Sequence, residues 1–575
     1  MVQDLIRDAS IGQLVNYLSN GRLFPYPEQR PGFIVPKHFR LPSSSSKVDP
    51  IASDTATLCG DCGDESQVGT EISSTPDTKL RRESTLIAVT DLEKQVDDPT
   101  SVPDPFLVGW YGDSDPENPM NWSFRKRSFV AFNISFLTFS IYIASAIYTS
   151  SIPGLMAEFN VSLTIATLGL TLYVLGYGVG PMFLSPLQEL PLLGRNPVYI
   201  AGLFLFVIFQ IPIVTATNIS TVLAMRFLTG FCGSPALATG GASMTDIFPE
   251  HHHAYALGIW ALGATAGPIT GPVIGGFAAQ AESWRWPMME LIWITSFAVV
   301  FLSLFLPETY EPTILRRRAQ RLRILTGNAR LRTAAEREQE SKSTRDIAYE
   351  SLVRPFILST EPALAFSNIY VGFVYAIFYL WFEAFPFVFN DIYHFNEGVG
   401  ALPFLGFIVS GALAYTVYCL YQKYRMAPRF ARAAAAGTKV APEIRLEIGL
   451  MASIFIPMSV LIFGFCSKAS IHWIVPVIGA ALYLPGVFLV FQSILVYATA
   501  AYPDHAALVL AGNDFFRSAI ASVFPLFGRA FFTNLGLGPG SALLAGISIL
   551  MMPVYWLLLK YGHVLRQRSR YAHSA

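Results

Sequence analysis

Charge is what this chain has least of. Asp, Glu, Lys and Arg make up 14% of its 575 residues, against roughly a quarter in a soluble globular domain. So little charge cannot solvate the surface of a large soluble fold. Acidic and basic residues number 40 each, for a formal net charge of zero, and nothing in that balance points to nucleic acid. Cysteine is scarce too. Cys59 and Cys62 form one C-x-x-C in polar surroundings with no second pair, so no metal site is expected there. Cys232, Cys419 and Cys466 sit in apolar runs and read as small packing residues. A disulfide framework is not implied. The phosphate-cradling G-x-x-x-x-G-K-[ST] pattern and the H-E-x-x-H metal pattern are both missing. An ATP-driven motor, an enzyme and a bound cofactor are therefore not expected. An ATP-driven pump would need a partner to supply its motor. The first forty residues contain Asp4, Arg7, Asp8 and Arg22 and no sustained apolar core. They do not read as a signal peptide, so the amino terminus is expected to stay in the cytosol.

What is present is apolar. Hydrophobic residues are 52% of the chain and the mean hydropathy is +0.44. Twelve runs are long enough to cross a bilayer. They fall near 128–149, 164–186, 197–216, 221–244, 255–279, 287–306, 363–386, 399–421, 446–466, 473–498, 507–530 and 541–560. Residues 1–125 form a polar tail, in which Leu5 to Leu18 has helical periodicity. Pro42 to Asp98 is rich in Ser, Thr, Asp and Gly and is expected to be disordered. The segment Asp115-Pro116-Glu117-Asn118-Pro119-Met120-Asn121-Trp122-Ser123 leads into Arg125-Lys126-Arg127 and suits a membrane-surface anchor. A six-helix half over 126–306 and another over 361–562 flank a basic linker, 307–360, and 563–575 closes the chain. The linker carries Arg316, Arg317, Arg318, Arg321 and Arg323 and is expected to face anionic lipid. Lys and Arg concentrate in alternate loops, which places both termini in the cytosol. His251-His252-His253 reads as a solvated loop. A six-plus-six layout is that of a parallel-repeat transporter.

Burying charge in lipid is expensive, so ionisable residues inside spans carry information. They are Arg226, Glu290, Glu383, Asp514 and Arg517. Asp514 and Arg517 are i, i+3 neighbours, equally consistent with a structural ion pair and with a coupling role. Arg226 must find a carboxylate, a carbonyl or a wet cavity. Glu383, set among Trp381, Phe382, Phe385 and Phe387, is a candidate to take up and release a proton. Glu290 reads as an ordinary interfacial residue. Tyr375, Tyr379, Trp381, Phe382 and Phe385 recur at helical spacing. They could line a cavity for large apolar or cationic compounds, or simply fill helix contacts. The fifth run holds glycines at 263, 267, 271 and 275, with Pro268, Pro272 and Gly276 among them. That spacing makes one smooth helix face, suited to a tight helix–helix contact or to a gate between two halves.

Several of these stretches resemble the fungal drug:proton antiporters of the major facilitator superfamily, twelve-span branch. Gly180-Pro181 through Glu189, then Gly194-Arg195-Asn196-Pro197, is similar to the superfamily's loop-two signature. It departs in having Glu189 and a single Arg195 where that signature has Asp and paired basic residues. Arg226 with Gly230 resembles the span-four signature, and the glycine-rich run the antiporter signature of span five. Ile11-Gly12-Gln13, Asp115 to Pro119, Trp284-Arg285-Trp286, Pro307-Glu308-Thr309-Tyr310, Phe382-Glu383-Ala384-Phe385-Pro386 and Asn513-Asp514 with Arg517-Ser518 also resemble this branch. The resemblance implies an all-α membrane protein of major facilitator fold, with twelve helices in two six-helix bundles. It implies a monomer in the plasma membrane that exports small organic toxic compounds against proton entry. It assigns Glu189 and Arg195 to an inner gate, and Arg226, Glu383, Asp514 and Arg517 to proton coupling. The glycine face would then pack on a helix of the other half. The alternatives are a polyamine or nutrient carrier of the same fold and a non-transporting receptor.

Overall fold

The computed structural model describes residues 2–19, 22–30, 32, 33, 35, 39, 106–341, 343, 345, 349, 350, 352–438 and 440–572. The Ser-rich segment and the Cys59/Cys62 pair lie outside them. Described secondary structure is helical, apart from two isolated bridges, Ala9 with Pro307 and Leu107 with Arg332. Among the described residues, twelve helical segments are long and apolar enough to span a membrane. Spans one to six are Phe124–Phe159, Leu163–Gln188, Arg195–Val214, Ile219–Ile247, His251–Ala281 and Trp286–Phe305. Spans seven to twelve are Pro362–Ile392, Glu397–Ala435, Pro442–Cys466, Ile474–Ala501, Ala506–Leu535 and Leu537–Arg568. An even number of spans puts the segments before span one and after span twelve on one face of the molecule, the terminal face. The triple histidine belongs to the first turn of the helix that becomes span five.

Local chemistry sets the helix starts. Ser123, Ser162, Asn218 and Asn396 each accept a backbone N–H at the start of a helix. Prolines lie inside spans two, three, four, five, eleven and twelve. A bundle in lipid tolerates them because neighbouring helices re-satisfy the freed groups.

Lipid gives no hydrophobic drive for helix–helix association, so packing depends on close approach. Spans two and four meet through reciprocal glycines: a Cβ on Gly176 would strike the Phe227 carbonyl, and one on Gly230 the Tyr173 carbonyl. Span five does the same along its length, but its partner is not the one expected. A Cβ on Gly263 would lie 2.9 Å from Ser135 Cβ, one on Gly267 2.9 Å from Ile143 N, one on Gly271 2.7 Å from Ile147 N, and one on Gly275 2.9 Å from Ile147 O. All of those residues belong to span one. The four-residue glycine face therefore closes the first half on itself.

Contact with the other half comes from different glycines on span five. Gly258 faces the Tyr415 ring, and a Cβ on Gly276 would lie 2.9 Å from the Glu397 carbonyl. The Gln280 side chain accepts from Gly398 N at 3.0 Å. Spans five and eight thus touch at both ends. A second seam joins spans two and eleven: Thr171 donates to the Ser522 carbonyl at 2.7 Å, and Gly178 faces Ser518.

The terminal face carries a folded cap where a tail and a lipid-facing linker were expected. The linker begins as a helix, Glu311–Thr326. Its Arg318 is 1% exposed and reaches Asp115 at 2.6 Å, Glu117 at 3.1 Å and Glu28 at 3.6 Å. Arg321 pairs with Glu28 and Glu117, each at 2.9 Å, and its guanidinium lies 4.0 Å from the centre of the Tyr26 ring. These two arginines face protein carboxylates, and the Asp115–Glu117 segment is drawn onto the linker helix. Nearby carboxylates offered directed hydrogen bonds that a mobile headgroup does not. Trp122 is buried under the Lys126 ammonium, 3.9 Å from the ring centre.

Burial works to raise the carboxyls here. In Asp115 it is overcome by Arg318 and backbone hydrogen bonds, and in Glu28 by Arg321, backbone N–H and Tyr111, so both end below the ordinary range. Burial prevails at Glu117, whose carboxyl is raised. A carboxyl lowered by folding stabilises at neutral pH, and that contribution is lost as pH falls through its depressed value.

Leu at Gly267 or Gly271 forces spans one and five apart, lowering stability by about 1–3 kcal/mol per site and dropping the melting temperature in detergent. Leu at Gly276 leaves the melting temperature closer to wild type, because it disturbs the seam between halves and not the packing within one. Arg318→Leu strands buried carboxylates at about 3–5 kcal/mol. Limited proteolysis of the linker should accelerate in that variant, and in the wild type below about pH 4.

Candidate functional site

The seam between the halves holds a polar cluster built by five helices. Span eleven places Asp514 and Arg517 one turn apart and buried, and they form an ion pair. The Arg517 guanidinium lies 4.8 Å from the centre of the Tyr375 ring of span seven and 4.9 Å from that of Phe491 of span ten. Tyr375 in turn joins a hydroxyl network. Its hydroxyl is 3.0 Å from that of Tyr177 on span two, which is 2.9 Å from that of Tyr379. The Tyr142 ring of span one stacks edge-on to Tyr177 at 5.8 Å. Hydroxyls from both halves therefore converge beside a buried charge pair. Asp514 Oδ2 and Arg517 Nε have no hydrogen-bond partner among the described residues. That leaves polar capacity for a proton, water or a ligand.

The aromatic stripe of span seven divides. Tyr375 and Tyr379 face this seam. Trp381 instead packs on Phe463 at 4.6 Å and Tyr483 at 5.6 Å. Phe385 packs on Phe404 at 4.3 Å and Phe463 at 5.7 Å, and Phe382 on Phe404 at 5.4 Å. Those three fill the interior of the second half. Helical spacing alone does not separate them, because successive turns of a buried helix meet different neighbours.

Glu383 and Asp514 are not brought together. Gly528 approaches the Glu383 side chain, its notional Cβ lying 3.2 Å from Glu383 Cβ and Cγ. Fourteen residues of span eleven separate Gly528 from Asp514, about 21 Å of helix rise. Arg226 stands apart from both. It is 0% exposed, donates from Nε to the Gly169 carbonyl at 3.2 Å, and lies between the rings of Tyr148 at 4.5 Å and Tyr173 at 4.3 Å. Among the described residues no carboxylate pairs with it. Of the carboxylate, carbonyl or wet cavity expected for it, Arg226 has found a carbonyl, and two π faces complete its surroundings. Glu290, near the start of span six, has one oxygen without a partner among the described residues.

A second charge cluster lies on the terminal face. Arg195 opens span three and pairs with Asp246 of span four at 2.7 Å. Glu308, just past span six, accepts from the backbone N–H groups of Arg195, Asn196, Thr309 and Tyr310 at 3.0–3.3 Å. A carboxylate thus sits on the positive end of the span-three helix. Gly194, at φ 77°, leaves room for it: a Cβ there would lie 2.5 Å from Glu308 Oε2. The Glu189 carbonyl accepts from the Tyr310 hydroxyl at 3.1 Å. Sequence reasoning named Glu189 and Arg195 but missed Asp246 and the role of Glu308. The signal for Glu308 was the conspicuous Pro307-Glu308-Thr309-Tyr310 stretch. The second half repeats the device with charges exchanged: Glu443 at the start of span nine pairs with Arg566 at the end of span twelve at 2.7 Å. Among the described residues, no group of three His, Cys, Asp or Glu is placed to hold a metal ion.

Comparison with known proteins agrees with this architecture. The family described as Major Facilitator Superfamily matches residues 134–525. "Transporter mfs1" of Schizosaccharomyces pombe is 42% identical over 519 residues, covering 89% of this chain and 94% of that protein. "Cycloheximide resistance protein" of Candida maltosa is 37% identical, covering 99% of each chain. "Fluconazole resistance protein 1" of Saccharomyces cerevisiae is 39% identical, covering 82% of this chain and 86% of that one. A solved peptide transporter, POT, in complex with sulfate, shares the fold with a TM-score of 0.55 at 13% identity over 78% of this chain and 98% of its own. With twelve spans, two six-helix halves and these relatives, the chain belongs to the Major Facilitator Superfamily of membrane transporters.

Proposed function

We propose that this protein exports small organic toxic compounds across the plasma membrane in exchange for protons, with its terminal face in the cytosol. The observation that carries the reading is the buried Asp514–Arg517 pair set beside tyrosine hydroxyls from both halves. A carboxylate buried at a seam meets different surroundings when the seam opens, so its protonation and the state of the seam bias each other. That is the requirement for coupling a proton to a change of access. Protonating Asp514 releases Arg517 from its ion pair and leaves the guanidinium to the Tyr375 and Phe491 rings. The tyrosine-lined surface then suits a flat, apolar or cationic compound through stacking and cation–π contact. Relatives named for resistance to cycloheximide and fluconazole support export as the direction. Abundant Lys and Arg on the terminal face support a cytosolic placement of both termini.

In this scheme the Arg195–Asp246–Glu308 cluster ties the cytosolic ends of spans three, four and six into one moving body. The Glu443–Arg566 pair does the same for spans nine and twelve. Arg226, held by two tyrosines, braces spans one, two and four. Asp514 is favoured over Glu383 as the coupling group because Glu383 faces span eleven from within the second half. The reading is tested in sealed vesicles under an imposed pH gradient, with a panel of azoles, alkaloids and polyamines. Wild-type protein should drive at least one organic compound against its gradient. Asp514→Asn should abolish that drive while leaving substrate binding, and Glu383→Gln should leave both. Full gradient-driven transport by Asp514→Asn would overturn the assignment.

A further inference from the structure

The short helix Ser10–Leu18 inverts the pattern of a helix in water. Its sequence, Ser-Ile-Gly-Gln-Leu-Val-Asn-Tyr-Leu, holds no charge. Its inward face carries Gly12, where a Cβ would strike the Ile6 carbonyl, and Asn16, whose amide donates to the Phe24 carbonyl at 2.6 Å. Its outward face carries Ile11, Leu14, Tyr17 and Leu18, which are 37%, 58%, 80% and 71% exposed. At 3.6 residues per turn these four fill an arc of about 120°. Apolar residues gathered on the exposed side of a helix mark an interaction surface.

The position of the helix says what covers it. Ser10 donates to Asn196 at 2.7 Å, in the first turn of span three. Ala9 bridges to Pro307, and Glu308 N donates to the Asp8 carbonyl at 3.3 Å, just beyond Phe305 where span six ends. The helix therefore lies beside the points where spans three and six leave the bilayer. Leu192, in the turn before span three, and Leu23, following the helix, are 61% and 57% exposed and extend the apolar surface. Exposed Arg22 and Arg30 follow. An apolar arc beside the ends of two spans, a tyrosine at its edge and basic residues behind it match the chemistry of an interfacial helix on an anionic leaflet.

We propose that Ser10–Leu18 lies in the plane of the membrane, with Ile11, Leu14, Tyr17 and Leu18 seated at the headgroup–acyl boundary of the leaflet on the terminal face. The amino-terminal segment is then a strap held by lipid. It also touches Glu308, the carboxylate that caps span three, so the seat restrains that corner of the first half.

The test uses full-length protein in vesicles containing anionic lipid. Single cysteines at Leu14, Leu18 and Arg30, in a chain whose five native cysteines are replaced, carry spin labels. Labels at 14 and 18 should be several-fold more accessible to oxygen than to a water-soluble nickel complex, relative to the label at 30. Equal accessibility at all three sites would overturn the proposal, as would shielding of 14 and 18 from both reagents, the result expected if a second copy or a soluble partner covered the face. Should the cysteine-free chain not fold, unmodified protein is irradiated with a lipid bearing a photoreactive group at the glycerol end of its acyl chain. Adducts on the peptide containing Leu14 and Leu18 are expected. Adducts at Leu192 without any on that peptide would overturn it.

Discussion

Backbone touching backbone is the constraint on which this molecule rests. In lipid, apolar side chains are no better off against each other than against acyl chains, so helices hold together by shape and close approach. Gly263, Gly267, Gly271 and Gly275 let span five lie directly on span one, and Gly176 and Gly230 let spans two and four do the same. These contacts make the first half stiff. The seams between halves are built differently. They use a few small residues, such as Gly178 against Ser518 and Gly276 against the Glu397 carbonyl, together with side-chain hydrogen bonds such as Thr171 to Ser522. A stiff half meeting another across lighter seams is the mechanical requirement for rocking.

Charge is rationed to fit that division. Arg226 is sealed inside the first half between Tyr148 and Tyr173. Arg195, Asp246 and Glu308 close the terminal ends of spans three, four and six, and Glu443 with Arg566 closes those of spans nine and twelve. Outside the membrane, Arg318 and Arg321 fasten the linker helix to Glu28, Asp115 and Glu117. Each of these groups holds a body together. The Asp514–Arg517 pair differs in facing tyrosines contributed by both halves, which is why the proposed coupling is assigned to it.

The fold was legible because its signals are long and physical: twelve apolar runs, a six-plus-six division and alternating basic loops. The spacing of the span-five glycines correctly announced a tight contact. It did not say with which helix, and the partner is span one where the other half was expected. Periodicity gives a face but not what lies opposite. The same limit explains the aromatic stripe, where Tyr375 and Tyr379 reach the seam but Trp381, Phe382 and Phe385 do not. The basic linker read as lipid-facing because its acidic partners lie between 203 and 293 residues earlier in the chain, beyond the reach of local pattern. Asp246 escaped notice for a similar reason: only the fold brings it to Arg195.

In the proposed cycle the two six-helix halves exchange access across the seam that carries Asp514. The most direct measurement is the distance between spans five and eight at both ends of their seam, by spin–spin spectroscopy on labels near Gly258 and Tyr415 and near Gly276 and Ala401. Acidification, or replacement of Asp514 by Asn, should widen one end and narrow the other, while a pair joining spans one and five stays fixed. Distances at both ends that do not respond, or a span one–five distance that moves with them, would contradict the account.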